Sequence, residues 1–215
     1  MEEKYTIFKN IEKHLLQDEK PSEYLNKLSE EGLLKEYPFN LLENLKETEQ
    51  NLTHHPEGNV WNHTMMVLDR AAKNKEFSED SKAFMWAALL HDIGKGTTTK
   101  IRRGKITSYN HDKEGEFLSM KFLEEFINDK EFIKEIAALV RWHMQPLFVS
   151  KKMSFADVDS MKEECSPEEI ALLSKCDRLG RGDMTQDKIE KEEESIEKFL
   201  DVIKKGNVKD SSKEQ

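Results

Sequence analysis

The chain has 215 residues, a length that suits one domain with room for an appendage. Its formal net charge of −9 excludes a broad basic face of the kind that grips nucleic acid, so no stable nucleic-acid complex is expected, although a local basic pocket is compatible with it. The first residues are charged and amphipathic rather than leader-like, no apolar run approaches the roughly 20 residues that span a bilayer, and Cys165 and Cys176 form no zinc motif, so a reduced, cytoplasmic protein is the expectation.

The apolar spacing is helical almost throughout and predicts an all-α fold. Ile7, Ile11, Leu15 and Leu16 share one helix face. Pro21 and Ser22 open a second, short helix carrying Tyr24, Leu25, Leu28, Leu33 and Leu34, punctuated by Gly32 and Pro38. Phe39 to Leu45 makes a third short segment, and the turn-rich stretch THHPEGN (53–59) follows it. Val60 to Ala72 and Ser81 to His91 predict two longer helices, the second strongly apolar. Between 97 and 110, TTTKIRRGKITSYN alone has a strand-like look, with Ile101 and Ile106 flanking Arg103-Gly104 as a short hairpin or irregular loop. Helices resume over about 112–127, 131–143 and 167–179. Pro146 marks one helix end, Ser166-Pro167 a helix start, and MSFADVD leaves space for a short helical turn. From 187 onward Ile189, Ile196, Leu200 and Ile203 mark a charged helix with a narrow apolar stripe, and NVKDSSKEQ has the composition of a disordered tail. The organisation expected is an N-terminal helical extension over 1–50 packed on the core, a central unit over 51–185, and a charged C-terminal helix and tail over 186–215.

Within this helical frame LLHDIGKG (89–96) is an unusual helix ending. An imidazole and a carboxylate, His91 and Asp92, stand side by side at the edge of an apolar run, followed by Lys95 between two glycines. VWNHTMMVLD (His63), SYNHDKEG (His111), LVRWHMQP (His143) and SKCDRLGRG (Asp177) also place a histidine or aspartate where a helix begins or ends. A buried carboxylate must be paired, hydrogen-bonded or bound to metal. Neutral imidazole and carboxylate oxygen together suit iron, manganese, zinc, nickel or magnesium, with histidine favouring the transition metals. Lys95 lies three residues past Asp92 and shares its side if helical geometry persists. The run from Thr97 to Lys105 is the one concentrated basic stretch of an acidic chain. Arg102 and Arg103 within it, and Arg178 and Arg181 around Asp177, are candidate phosphate contacts, since a guanidinium suits bidentate contact with phosphate.

The ordered set His63, His91-Asp92, Asp177 resembles the H…HD…D signature of the HD-domain metal-dependent phosphohydrolases. More closely, HHPEGNVWNHTMMVLD, ALLHDIGKGTTT, GKITSYNHDKEG and DRLGRGD, preceded by EYLNKLSEEGLLKEYPFNLLENL, look like the C-terminal HD domain of bacterial tRNA nucleotidyltransferases (CCA-adding enzymes), over roughly residues 20–185. The nucleotidyltransferase head of those enzymes, with its paired aspartates on strands, has no counterpart in this sequence, so a free-standing hydrolase that does not add CCA is expected. The resemblance implies an HD helical bundle in which His63, His91, Asp92 and Asp177 bind one divalent ion, and Asp92 bridges to a second held by His111 and His143. It further implies Asp92 and Lys95 as catalytic residues and a loop bearing His54, His55 and Glu57 at the pocket rim, with His55 a candidate phosphate contact. The activity implied is hydrolysis of phosphate mono- or diesters of small nucleotides, of the 2′,3′-cyclic nucleotide or nucleoside monophosphate type. An iron-dependent HD-like oxygenase and a non-catalytic nucleotide- or RNA-binding module are the competing readings; Lys95 and the nearby arginines favour phosphate. The tryptophans beside the motifs read as core, with Trp142 a candidate for base stacking, and His14 reads as structural.

Overall fold

A computed structural model describes residues 2–210. The described chain is all-α apart from one two-stranded hairpin. Helices α1 (Glu2–Gln17), α2 (Pro21–Glu30) and α3 (Asn40–Glu43) precede α4 (Val60–Ala72), and α5 (Ser81–Leu90) leads through a turn into the short α6 (Lys95–Thr98). The hairpin pairs β1 (Lys100–Arg102) with β2 (Lys105–Thr107). Helices α7 (His111–Glu124), α8 (Lys130–Trp142), α9 (Gln145–Ser150), α10 (Val158–Glu164), α11 (Pro167–Leu179) and α12 (Gln186–Asp210) complete the order.

Side-chain caps set several of the boundaries. Asn59 accepts from the amide of Asn62 at 2.8 Å at the start of α4, and Asp80 accepts from Lys82 and Ala83 at 2.7 and 3.0 Å at the start of α5. Asp129 does the same for α8, and Ser166, followed by Pro167, for α11. Each cap satisfies amides that have no partner inside their own helix.

Every residue of α5 from Ala83 to Leu90 is buried, so beyond its first two residues this helix has no solvent face and sits at the centre, against α1, α4, α8 and α11. The N-terminal helices share that core. Phe8 of α1 stacks between Trp86 and Phe126 with ring centroids 4.7 and 4.4 Å away. Helix α2 is pinned to α4 where the indole of Trp61 donates to Asn26 at 2.8 Å and the Ser22 hydroxyl donates to Asp69 at 2.7 Å. Burying such aromatic and aliphatic side chains contributes about 1.5–3 kcal/mol each, which is what holds the terminal helices to the centre. His14 has a structural setting, 2.7 Å from Asp18 and stacked on Tyr24.

Local readings change at a few places. Helix α2 stops at Glu30, because Gly32 adopts φ +74, and Leu33 and Leu34 lie beyond it. Pro146 does not end a helix. It sits in the first turn of α9, where its missing amide would have lacked a partner anyway. Helix α12 runs on through residues 207–210, which composition assigns to an unordered tail, since no proline interrupts the run; residues 211–215 lie outside the described ones. Among the described residues, no helix is long and apolar enough to cross a membrane.

Candidate metal centre

The helix ends converge. His63 lies in the first turns of α4; His91 caps the C-terminus of α5, with Asp92 next to it. His111 is the first residue of α7, His143 follows the last residue of α8, and Asp177 lies near the end of α11. All six are buried. Arg141, two residues before His143, pairs with Asp112, the neighbour of His111, and so ties the end of α8 to the start of α7.

Asp92 is the hub. Its Oδ2 lies 3.3 Å from His91 Nε2 and 3.8 Å from His63 Nε2. Its Oδ1 lies 3.5 Å from His111 Nε2 and 3.9 Å from His143 Nε2. One carboxylate therefore turns each oxygen toward a different pair of imidazoles. Asp177 Oδ1 sits 2.9 Å from His63 Nε2, on the Oδ2 side.

The imidazoles are held in one orientation. His91 Nδ1 lies 2.9 Å from the carbonyl of Ala88, His111 Nδ1 2.8 Å from that of Ser108, and His143 Nδ1 2.7 Å from that of Val140. A carbonyl only accepts, so in each ring the proton sits on Nδ1 and Nε2 keeps its lone pair toward Asp92. His91 Nε2 and His111 Nε2 are buried without any hydrogen-bond partner. Leaving such groups unmatched is costly. A divalent cation accepted by these nitrogens and by Asp92 resolves the cost, and the donor set of imidazole nitrogen and carboxylate oxygen is that of a transition metal. The residues therefore fit the metal that the sequence implies, and they group as His63, His91 and Asp92 on one side and Asp92, His111 and His143 on the other.

The electrostatics agree. Burial would raise the Asp92 carboxyl, but the Lys95 ammonium and His91 hold it well below the usual range. Asp177 is likewise held low, burial being outweighed by His63 and Arg181. Burial pushes His111 down and takes His143 down to about 4, with His111 and His91 adding to the effect, so both rings are neutral at physiological pH and able to donate their lone pairs. His63 moves the other way: burial opposes its charge, yet Asp177 and Glu57 raise it.

A cavity of about 500 Å³ opens onto Asp92, His111, His143 and Asp177. Lys95 lines it, its Nζ 2.7 Å from Asp92 Oδ2 and 2.9 Å from Gln50 Oε1. Arg181 also lines it, with Nη2 3.7 Å from Asp177 and a buried Nε that has no hydrogen-bond partner. His55 borders it and donates toward Glu57 at 2.9 Å, burial keeping its ring pKa below the ordinary value. Arg178 reaches the cavity but is buried and paired with Glu192 of α12.

Arg102 and Arg103 are not at this cavity. Arg103 and Gly104 form the hairpin turn, both with positive φ, and β1 is exposed along its whole length. Arg102 stacks over Tyr109 instead, 5.1 Å from the ring centroid. From the hairpin region only Ile106 and Ser108 reach the cavity wall. Trp142 is buried too and donates to Glu164 at 2.6 Å, so it is not a stacking platform. Gln50, Lys151 and Glu192 are cavity residues that the sequence motifs do not mark, and neither do they mark that Glu57 lies 2.9 Å from His63 Nδ1. For Glu57 the signal was a carboxylate six residues ahead of a candidate ligand; for the others there was none in the local pattern.

The comparisons with known proteins meet this geometry. Residues 60–182, which carry all six converging side chains, match the model of the HD domain. Among curated proteins, the chain is 29% identical over 140 residues to a multifunctional CCA protein of Azoarcus sp. (strain BH72), covering 62% of this chain and 32% of that protein. It is 32% identical over 123 residues to the multifunctional CCA protein of Pasteurella multocida (strain Pm70), covering 56% and 28%. It is 45% identical over 47 residues to that of Actinobacillus pleuropneumoniae serotype 5b (strain L20), covering 22% and 11%. The chain thus spans about a third or less of the length of these relatives. With the family's match running over more than half of the chain and through every side chain around Asp92, this protein belongs to the HD-domain family.

Proposed function

We propose that this protein is a metal-dependent phosphohydrolase that cleaves phosphate mono- or diesters of small nucleotides, and that it uses two divalent ions. The observation that carries the reading is the division of Asp92, with Oδ2 toward His63 and His91 and Oδ1 toward His111 and His143. A single ion needs only one of these sides; a carboxylate presented to both suits a bridge. His63, His91, Asp92 and Asp177 would hold one ion and Asp92, His111 and His143 the other, with iron, manganese, nickel, zinc and magnesium all compatible with the donors. When bound, such ions supply positive charge that offsets the anionic oxygens of a phosphate ester and lower the pKa of water toward neutrality.

The protein's own part is to position and to neutralise. The three carbonyl-bonded histidines keep one tautomer without help from solvent. Lys95, held between Asp92 and Gln50, offers its ammonium to a non-bridging phosphate oxygen entering the cavity. Arg181, which lines the same cavity beside Asp177, supports the same role through its guanidinium. Glu192 occupies the guanidinium of Arg178, which makes Arg178 the weaker phosphate contact of the two.

The test is elemental analysis of protein loaded with manganese or iron, with phosphate release measured over 2′,3′-cyclic nucleotides and nucleoside monophosphates. Two ions per chain and turnover that a chelator abolishes are expected, and Asp92→Ala should lose both metal and turnover. Protein that takes up no metal, or Asp92→Ala turning over at more than a few per cent of wild type, would sink the proposal.

A further inference from the structure

Three of the four histidines around Asp92 use the backbone to fix their rings. His91 and His143 each follow a helix, so the carbonyl three residues back lies in a last turn, where carbonyls lack intrahelical partners. His111 uses the carbonyl of Ser108 in the loop before α7. His63 has no such option. It lies inside α4, and the carbonyl three residues before it belongs to the helix ladder. Its Nδ1 lies 2.9 Å from Glu57 Oε1 instead, an ion-pair contact rather than an aligned hydrogen bond.

Glu57 does more than meet one ring. Its side chain is only 4% exposed although the loop around it is largely open, so its carboxylate has been taken out of water for a purpose. The same Oε1 accepts from His55 Nδ1 at 2.9 Å, and Oε2 accepts from the amide of Gly182 at 3.1 Å. Its backbone carbonyl accepts from the side chain of Asn62 at 3.0 Å, which clamps the loop onto the first turn of α4. One carboxylate thus joins the His55 loop, the ring of His63 and the turn that follows Asp177 and carries Arg181.

We propose that Glu57 is the positioning residue of the His63 side of the centre: it holds the Nδ1 proton of His63, presents His63 Nε2 to the ion shared with Asp92 and Asp177, and locks the His55 loop to the Gly180–Gly182 turn. This rests on the metal reading above. A carboxylate behind a ligating imidazole fixes the tautomer and raises the basicity of the ring, and removing such a partner typically weakens metal affinity about 10- to 100-fold.

The experiment measures manganese affinity by spin-resonance titration for wild type, Glu57→Ala and Glu57→Gln, with circular dichroism and thermal unfolding of the metal-free proteins as a check on folding. Glu57→Ala should weaken the tighter manganese equivalent by about 10- to 100-fold. Glu57→Gln fills the same space but loses the charge and turns an amide donor toward the Gly182 or histidine N–H, so its affinity should fall between the two. Glu57→Gln binding like wild type would show that the side chain only fills space, and would overturn the proposal even if Glu57→Ala failed to fold. Glu57→Ala binding like wild type would overturn it as well. Wild type that takes up no manganese would remove the metal reading itself, an outcome set apart from the others because all three proteins would then behave alike.

Discussion

Gly94 and Gly96 stand two residues apart in HDIGKG, and the structure assigns their substitution by alanine opposite signs. Gly94 has φ −67 and ψ −18, a conformation open to any residue, so backbone freedom is not why it is glycine. The reason is proximity. A Cβ there would stand 2.1 Å from the carbonyl oxygen of His111 and 2.5 Å from the amide nitrogen of Gly115, both backbone atoms of α7 that no side-chain rotation can move aside. Overpacking of this kind costs about 1–3 kcal/mol, and contact with rigid backbone places Gly94→Ala at the upper end. For a chain of this size each kcal/mol moves Tm by about 2–4 °C, so a fall of about 6–12 °C is expected. At Gly96 a Cβ would meet only the side chain of Leu45, at 3.5 Å, an ordinary contact inside a helical turn. Gly96→Ala should therefore gain about 0.4–1 kcal/mol by restricting the unfolded chain, raising Tm by about 1–4 °C. Because the atom displaced at Gly94 belongs to His111, Gly94→Ala should also lower manganese uptake, whereas Gly96→Ala should not. Thermal unfolding followed by circular dichroism, with elemental analysis of the loaded proteins, reads both effects. If Gly94→Ala melts within about 2 °C of wild type, the start of α7 does not press on the HD turn as described, and the reasoning fails.

Other consequences are testable with the same protein. His111→Ala should lose one equivalent of metal, keep the other, and lose activity by about 10-fold or more; a wild type that never exceeds one ion per chain, with His111→Ala behaving like it, would disprove the two-ion centre. Burial pushes the thiols of Cys165 and Cys176 up to about 12, so both should resist alkylation near pH 8 in the folded protein and react at once in guanidinium, and rapid labelling of the native state would contradict their environment. Glu12 of α1 pairs with Lys9 and with Lys82 of α5, the latter at 3.0 Å. Burial works to raise its carboxyl, but the hydrogen bonds from Lys9 and Lys82 outweigh it and the folded pKa is lowered. The stabilisation is therefore complete above the unfolded value of about 4.3 and is lost as pH falls through the lower folded value. Glu12→Gln should cost about 1–2 kcal/mol at neutral pH, and denaturant titrations should show that difference closing on acidification; a difference constant down to about pH 3 would contradict the pairing.

The helices were legible because one physical fact, a core on one side and water on the other, writes a 3.6-residue period into each of them. For 97–110 the sequence leaves a short hairpin or an irregular loop open, and the structure has the hairpin, with Arg103 and Gly104 both at the positive φ of a two-residue turn. The converging donors were visible for a different reason. An imidazole or carboxylate beside a buried apolar run must be satisfied by something, and the chain does this at five separated helix ends. What could not be read was whatever depends on direction. Arg102 and Arg103 lie in the one basic run of an acidic chain, but charge density along a sequence says nothing of which way a hairpin aims its side chains, and these point to solvent. Arg178 was correctly placed beside Asp177 in sequence, yet its partner Glu192 arrives from another helix. Pro146 carries a helix-breaking signal, and whether such a signal ends one helix or starts the next depends on residues that neither flank it nor share its period.

The same distinction explains how ligand-bearing ends from separate helices can be brought within a few ångströms of one aspartate. Packed helices ordinarily keep axes 8–10 Å apart, with side chains between them. Closer approach requires a position without a Cβ. Gly94 lets the turn after Asp92 lie directly on the first turn of α7, which brings His111 to Asp92 Oδ1. Gly180, where a Cβ would stand 2.9 Å from the Cα of Val67 and 2.8 Å from its Cγ2, lets the end of α11 lie on α4, which brings Asp177 to His63. The two glycines serve opposite oxygens of Asp92. Gly94 is two residues from Asp92 and Gly180 three from Asp177, yet each sets the distance on which its side of the centre depends. The backbone contact made possible by a missing methyl group therefore belongs to the chemistry of the site as much as the nitrogen and oxygen atoms that face the cavity.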